Sequence, residues 1–155
     1  MNLLISGYGV SAPRSTALIQ TDGKISRTVW WDNIDAASFS DGLLFVISEW
    51  EQGSAIRLLK WESGAFHFRD EIRVPGGSLC HITYLPGQKV LLGTCYGSGE
   101  VFSIAVDPEA VVFGKILTYQ KQGKGEECSF GHTRAHMIRA NAQETIAIST
   151  NIALD

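Results

Sequence analysis

The stretch GGSLCHITYLPGQKVLLGTCYGSGEVFSI, residues 76–104, reads as strand, turn, strand, turn, strand. SLCHITYL, KVLLGTC and EVFSI carry the β-branched, apolar and aromatic residues that strands favour, and PGQ and GSG separate them as hairpin turns do. The same grammar continues outward on both sides. Upstream lie NLLISGYG, STALIQTDG, KISRTVWW, GLLFVISEW, SAIRLLKWESG and AFHFRDEIRV; downstream lie SIAVDPEA and VVFGKILTYQ. Asp22-Gly23 and Ser63-Gly64 fall between alternating segments, the usual mark of a tight hairpin. No amphipathic helix of three turns interrupts the pattern, which disfavours a layered α/β fold.

The pattern also repeats. GLLFVIS at 42–48 and QKVLLGT at 88–94 hold equivalent places in two units. Each is followed by a short glycine-containing turn, a strand (SAIRLLKW, then EVFSIAV), a second turn and a further strand (AFHFRDEIRV, then VVFGKILTYQ). The opening segment runs in the same order. A spacing of about forty to fifty residues fits a four-stranded propeller blade, although a β-sandwich or barrel would also show many short strands. The expected units are 1–36, 37–77, 78–123 and an incomplete 124–155. The segment AHMIRANAQETIAI, 135–148, has helix-forming composition. The repeat overrides it: HITYLPGQ from His81 and HMIRANAQ from His136 align as strand and turn, which puts the two histidines at equivalent strand starts. Three units and about half of a fourth do not close a ring of four to eight blades. Self-association, or the remaining half of a longer propeller, is the expected completion.

Charge and cysteine content narrow the function classes. Thirteen Lys and Arg against sixteen Asp and Glu give a net charge of -3, and no basic run supplies a nucleic-acid footprint. Cys80, Cys95 and Cys128 are far apart and odd in number, without the spacing of a zinc or redox pair, and read as reduced, mostly buried thiols. The start MNLLISGYG is a poor signal peptide and far too short to span a bilayer, so a cytoplasmic protein without a membrane partner is expected.

Residues 76–104 closely resemble the lactonase family of seven-bladed propellers, which includes bacterial 6-phosphogluconolactonases and carboxy-muconate lactonising enzymes. The shared features are His81 at a strand start, the Pro86-Gly87 turn, and the corner Tyr96-Gly97-Ser98-Gly99, with Cys95 where the family commonly has Asn. RAHMIRA, 134–140, resembles the family's His-x-His strand, with His136 matching the second histidine and Arg134 standing at the first. NIALD, 151–155, resembles an Asp-Leu-Gly-x-Asp turn, with Asn151 in place of the leading Asp and Asp155 retained. The resemblance implies an all-β fold, a partial seven-bladed propeller of about three four-stranded blades plus the start of a fourth. It implies a hydrolase or isomerase of carbohydrate or muconate metabolism, acting on a small acidic lactone without a cofactor.

Opening a lactone requires an activated water and a donor for the developing oxyanion. His81 and His136, on adjacent blades, are the candidate catalytic histidines, and Arg134 is the candidate partner whose fixed donor fork suits a carboxylate or phosphate. Strand alternation puts Arg134 and His136 on one face and Arg139 on the other, provided no bulge intervenes. Tyr96, Glu126 and Glu127 are the candidate substrate-binding residues. No metal is expected: His132 and His136, four apart on a strand, would lie about 13 Å from each other, too far to share an ion. Against these assignments stand bland ones: histidines tying an inner strand to a neighbouring loop, exposed glutamates, and a Tyr96 that packs between blades. A propeller that binds a small acidic ligand or a protein without catalysis is the alternative function, as is an inactive fragment that needs the rest of the ring.

Overall fold

Every residue from Leu43 to Ser48 is buried. Successive strand side chains point to opposite faces, so such a run requires a sheet covered on both sides. That strand lies inside a stack of small antiparallel sheets. The computed structural model describes residues 3–5, 17–19, 25–26, 34–50, 53–121 and 133–153. The first sheet comprises β1 (Leu3–Ile5), β2 (Ala17–Ile19) and β3 (Ile25–Ser26). The second comprises β4 (Ile34–Ser40), β5 (Leu43–Trp50), β6 (Gly53–Glu62) and β7 (Ala65–Val74). The third comprises β8 (Leu79–Leu85), β9 (Val90–Cys95), β10 (Glu100–Asp107) and β11 (Val112–Lys121), and β12 (Ala135–Ala140) pairs with β13 (Ala147–Asn151). Each sheet is a meander in which consecutive strands pair antiparallel.

This is an all-β, open arrangement, a partial seven-bladed propeller. The Asp22-Gly23 hairpin and the tryptophans at 30 and 31 lie outside the described residues. The Ser63-Gly64 hairpin forms as the sequence reads, with both residues at positive φ, 52° and 84°. Asp41 and Gly42 make the same turn between β4 and β5, at 53° and 77°. Positive φ at both central residues is what a two-residue hairpin needs to match strand twist. Residues 135–140 and 147–151 are strands, so the repeat prevails over the helical composition of that segment.

The core lies between the second and third sheets. Leu43, Phe45 and Ile47 from β5, with Ile56 and Leu58 from β6, meet Leu79, Ile82, Tyr84, Leu91, Phe102, Ile104 and Val106. Phe45 and Tyr84 have ring centroids 4.7 Å apart. The Phe102 ring lies over Gly93, where any β-carbon would come within 2.1 Å of it, so only glycine fits at that place on β9. The opposite face of the second sheet buries Leu44, Val46 and Leu59. The fourth strand of the blade is polar: β7 is largely exposed, and Arg57–Glu71 and Arg69–Glu62 ion pairs span β6, β7 and their turn.

In both four-stranded sheets the first strand is an edge, and these first strands pack together from sheet to sheet. Their outward backbone groups therefore need partners. Side chains of the second sheet supply them: Ser38 Oγ accepts from the Tyr84 N–H at 3.2 Å and Ser54 Oγ from the Leu79 N–H at 3.2 Å. On the outer side, Asp70 accepts from the Phe113 N–H at 2.8 Å.

Candidate functional site

The site begins at the corner after β9. The Tyr96 N–H donates to the Ser78 carbonyl at 2.8 Å, the Gly97 N–H to the Gly77 carbonyl at 3.1 Å, and the Gly99 N–H to the Cys95 carbonyl at 2.8 Å. Ser98 Oγ accepts from the Gly77 N–H at 2.9 Å. These bonds join the segment between β7 and β8 to the corner after β9 and fix the backbone that carries the Tyr96 ring. Gly99 has φ 77°, and a β-carbon there would fall 1.9 Å from Thr133 Oγ1. The chain entering β12 thus passes directly over the corner.

That entry carries Arg134 and His136. The Arg134 N–H donates to Asn151 Oδ1 at 3.0 Å, and the Ala153 N–H donates to the same oxygen at 3.1 Å. Asn151 thereby ties the start of β12 to the end of β13. The guanidinium of Arg134 turns to Tyr96: Nη1 donates to the phenol oxygen at 2.5 Å, and Cζ lies 4.8 Å from the ring centroid. The imidazole of His136 makes a T-shaped contact with the same ring, at 6.0 Å between centroids and 74° between planes. His136 is exposed and Arg134 half-buried.

Across the seam, side chains of the third sheet take hold of the β12 backbone. The His136 carbonyl accepts from Thr94 Oγ1 at 3.2 Å and from Cys80 Sγ at 3.1 Å. Cys80 Sγ also lies 3.5 Å from the Ala135 carbonyl. His81 Nδ1 accepts from the Ile138 N–H at 3.5 Å, a long contact that requires an unprotonated Nδ1. Burial, and then the electrostatic influence of the Arg139 and His136 side chains, lower the pKa of His81 and favour that neutral ring.

The structure brings His81, Tyr96, Arg134 and His136 to one seam between the third sheet and β12. It changes how the two histidines correspond. His81 pairs with Thr94 and Met137 with Thr150, while Cys80 and His136 are the extra residues of bulges in β8 and β12. His136 therefore occupies the place of Cys80, one residue from the expected match with His81. The bulge also removes the simple alternation of Arg134, His136 and Arg139, because a bulged residue leaves the ladder and re-aims its neighbours. Glu126, Glu127, His132 and Asp155 lie outside the described residues. Three participants were not singled out for this seam: Thr94, Cys80 and the acceptor oxygen of Asn151. The one sequence signal among them is Asn151, at a position where the resembled turn carries an aspartate, which offers the same acceptor. Cys95 is fully buried, the small filler its sequence suggests. Among the described residues, no three His, Cys, Asp or Glu side chains are grouped so as to hold a metal ion, and no helix is long and apolar enough to cross a membrane.

Comparison with known proteins agrees with this architecture. The family model described as lactonase, 7-bladed beta-propeller matches residues 15–155. No curated protein sequence matches the chain. Among solved structures, the periplasmic gluconolactonase of Pseudomonas aeruginosa superposes with a TM-score of 0.81 at 12% identity, over 98% of this chain and 47% of that one. A putative 6-phosphogluconolactonase of Bacteroides uniformis gives 0.81 at 13% identity, over 99% and 48%. Another from Bacteroides fragilis gives 0.80 at 13% identity, over 98% and 45%. The chain spans a little under half the length of these structures.

Proposed function

We propose, because the chain belongs to the lactonase family of seven-bladed β-propellers, that its third and fourth blades contribute one wall of a site that opens a small acidic lactone. The observation that carries this reading is the meeting of Arg134, His136 and Tyr96 across one seam. Arg134 presents a permanent positive charge to the carboxylate or phosphate of the substrate, in the planar geometry that suits those groups. His136, exposed beside it, takes a proton from water as the oxygen attacks the lactone carbonyl carbon. The new carbon–oxygen bond forms, the acyl–oxygen bond of the ring breaks, and the proton passes to the departing ring oxygen. Tyr96 forms the aromatic side of the cleft. Glu126 and Glu127 belong to the same proposal as residues reaching this opening from the preceding loop. The blades needed to face this wall are those that the related structures hold in their other half, supplied by a longer chain or by a second copy.

The test is hydrolysis of gluconolactone and of its 6-phosphate by the protein, read by acid release. Arg134→Ala and His136→Ala are expected to lower kcat/KM about 100-fold or more, as loss of a general base or a charged binding group does. Arg134→Ala is expected to act more strongly on the phosphorylated lactone. Turnover unchanged in both variants rejects the assignment. One observation favours a second reading, a propeller that binds an acidic ligand without catalysis: His81 directs Nδ1 to a backbone N–H, a structural use of that histidine. Ligand binding without turnover would establish that reading.

A further inference from the structure

We propose that Tyr96 is a positioning residue: it acts through Arg134 and His136, holding both in place for an anionic ligand. This rests on the lactone-site reading above. Tyr96 makes three contacts with the two residues of the next blade, a hydrogen bond from Arg134 Nη1, a ring face under the guanidinium and a T-shaped contact with the His136 imidazole. Its own backbone is fixed by the carbonyl of Ser78, and the next residue by that of Gly77, so the main chain that carries the ring is anchored by bonds that do not involve β12. Arg134, by contrast, precedes β12 and is joined to β13 by its main chain. A free arginine side chain surrenders rotamer freedom on binding a ligand. A guanidinium already stacked and hydrogen-bonded has paid most of that beforehand, and preorganisation of this kind raises affinity without adding a contact to the ligand. Because the phenol oxygen accepts from Arg134, the phenol's own hydrogen is directed elsewhere, so the hydroxyl orients the cation without competing for its ligand as a carboxylate would.

Tyr96→Phe keeps the ring and removes the hydroxyl; Tyr96→Leu removes both. In labelled full-length protein, the first variant is expected to leave the His136 ring-proton shifts near their wild-type values and to alter the Arg134 Nε–H signal. The second is expected to move both, because the ring current and the cation–π face are lost. Titration with inorganic phosphate is expected to bind about tenfold more weakly to Tyr96→Phe, the loss typical of one charge-assisted hydrogen bond, with unchanged thermal unfolding. In the lactone assay the same variant raises KM and leaves kcat nearly unchanged. Arg134 and His136 signals indifferent to both substitutions overturn the positioning role. Failure of the wild-type protein to bind phosphate or open a lactone overturns the functional reading instead, and the positioning role is then decided by those signals alone.

Discussion

The two seams on either side of the third sheet differ in balance: the one toward the second sheet adds side chain–main chain bonds from Ser38, Ser54 and Asp70 to a large apolar cluster, and the one toward β12 relies mainly on such bonds. Toward the second sheet, large apolar side chains interdigitate: Phe45, Tyr84, Leu91, Phe102 and Ile104 form one continuous cluster. Toward β12, side chains reach the neighbouring main chain: Thr94 and Cys80 to the His136 carbonyl, His81 to the Ile138 N–H. Apolar burial holds surfaces together without specifying the position of any polar atom. Hydrogen bonds to a bulged backbone do specify it, and they do so where the candidate catalytic groups emerge. A propeller can thus rest mainly on burial at one seam and mainly on directed bonds at the next. The first kind of seam resists unfolding, and the second kind orients side chains.

The largest separation between the seams is expected from truncating the apolar one. Phe45 is fully buried and touches both Tyr84 and Phe113. Phe45→Ala should destabilise the protein by about 3–5 kcal/mol, the range for a fully buried phenylalanine. Denaturant unfolding measures it, and a loss below about 1 kcal/mol would show that the cluster is not what holds the two sheets together.

A smaller, local effect is expected on the polar side. Thr94 is fully buried, and Thr94→Val preserves its shape while removing one of the donors to the His136 carbonyl. The expected cost is about 1 kcal/mol. It should appear as faster amide hydrogen exchange in β12 and β13, with β5 and β6 protected as before. Equal acceleration in β5 would mean that the two seams open together and that the contrast between them has no energetic counterpart.

The sequence discloses the two seams unequally. Strand alternation and Ser63-Gly64 read directly, because period-two burial and a positive-φ turn are local properties of the chain. The pairing of 135–140 with 147–151 was legible through the repeat, although its composition favours helix. The bulge at His136 was not legible, because it arises from how β12 and β13 are paired and leaves no mark in side-chain type. Everything that depends on it was displaced with it: the match between His81 and His136, and the faces assigned to Arg134 and Arg139. Tyr96, Arg134 and His136 were identifiable as residues of interest, but their convergence on one ring was not. Thr94 and Cys80 bind carbonyls that a regular ladder would direct elsewhere, so no motif announces them.

The smallest expected effect concerns acid, and it tests whether His81 belongs to the polar seam as a structural member. Its pKa is lowered in the folded protein, by burial first and then by Arg139 and His136. Arg139 and His136 both lie on β12, the strand His81 holds. In the unfolded chain the imidazole returns to its ordinary value of about 6.5. Between that value and the lower folded one, the unfolded state binds more protons, so stability rises with pH there. The contribution of neutral His81 is fully present above about pH 6.5 and is lost as the pH falls through its folded-state pKa. Protonation also converts Nδ1 from acceptor to donor, which turns the contact with the Ile138 N–H into a clash of two donors. Exchange at the Ile138 amide, corrected for the intrinsic pH dependence of exchange, should therefore quicken on acidification while that of β5 does not. His81→Gln supplies an amide oxygen that accepts at any pH, and it should flatten this dependence. A pH dependence that survives the substitution would assign the acid sensitivity to another group and leave His81 available to the chemistry of the site.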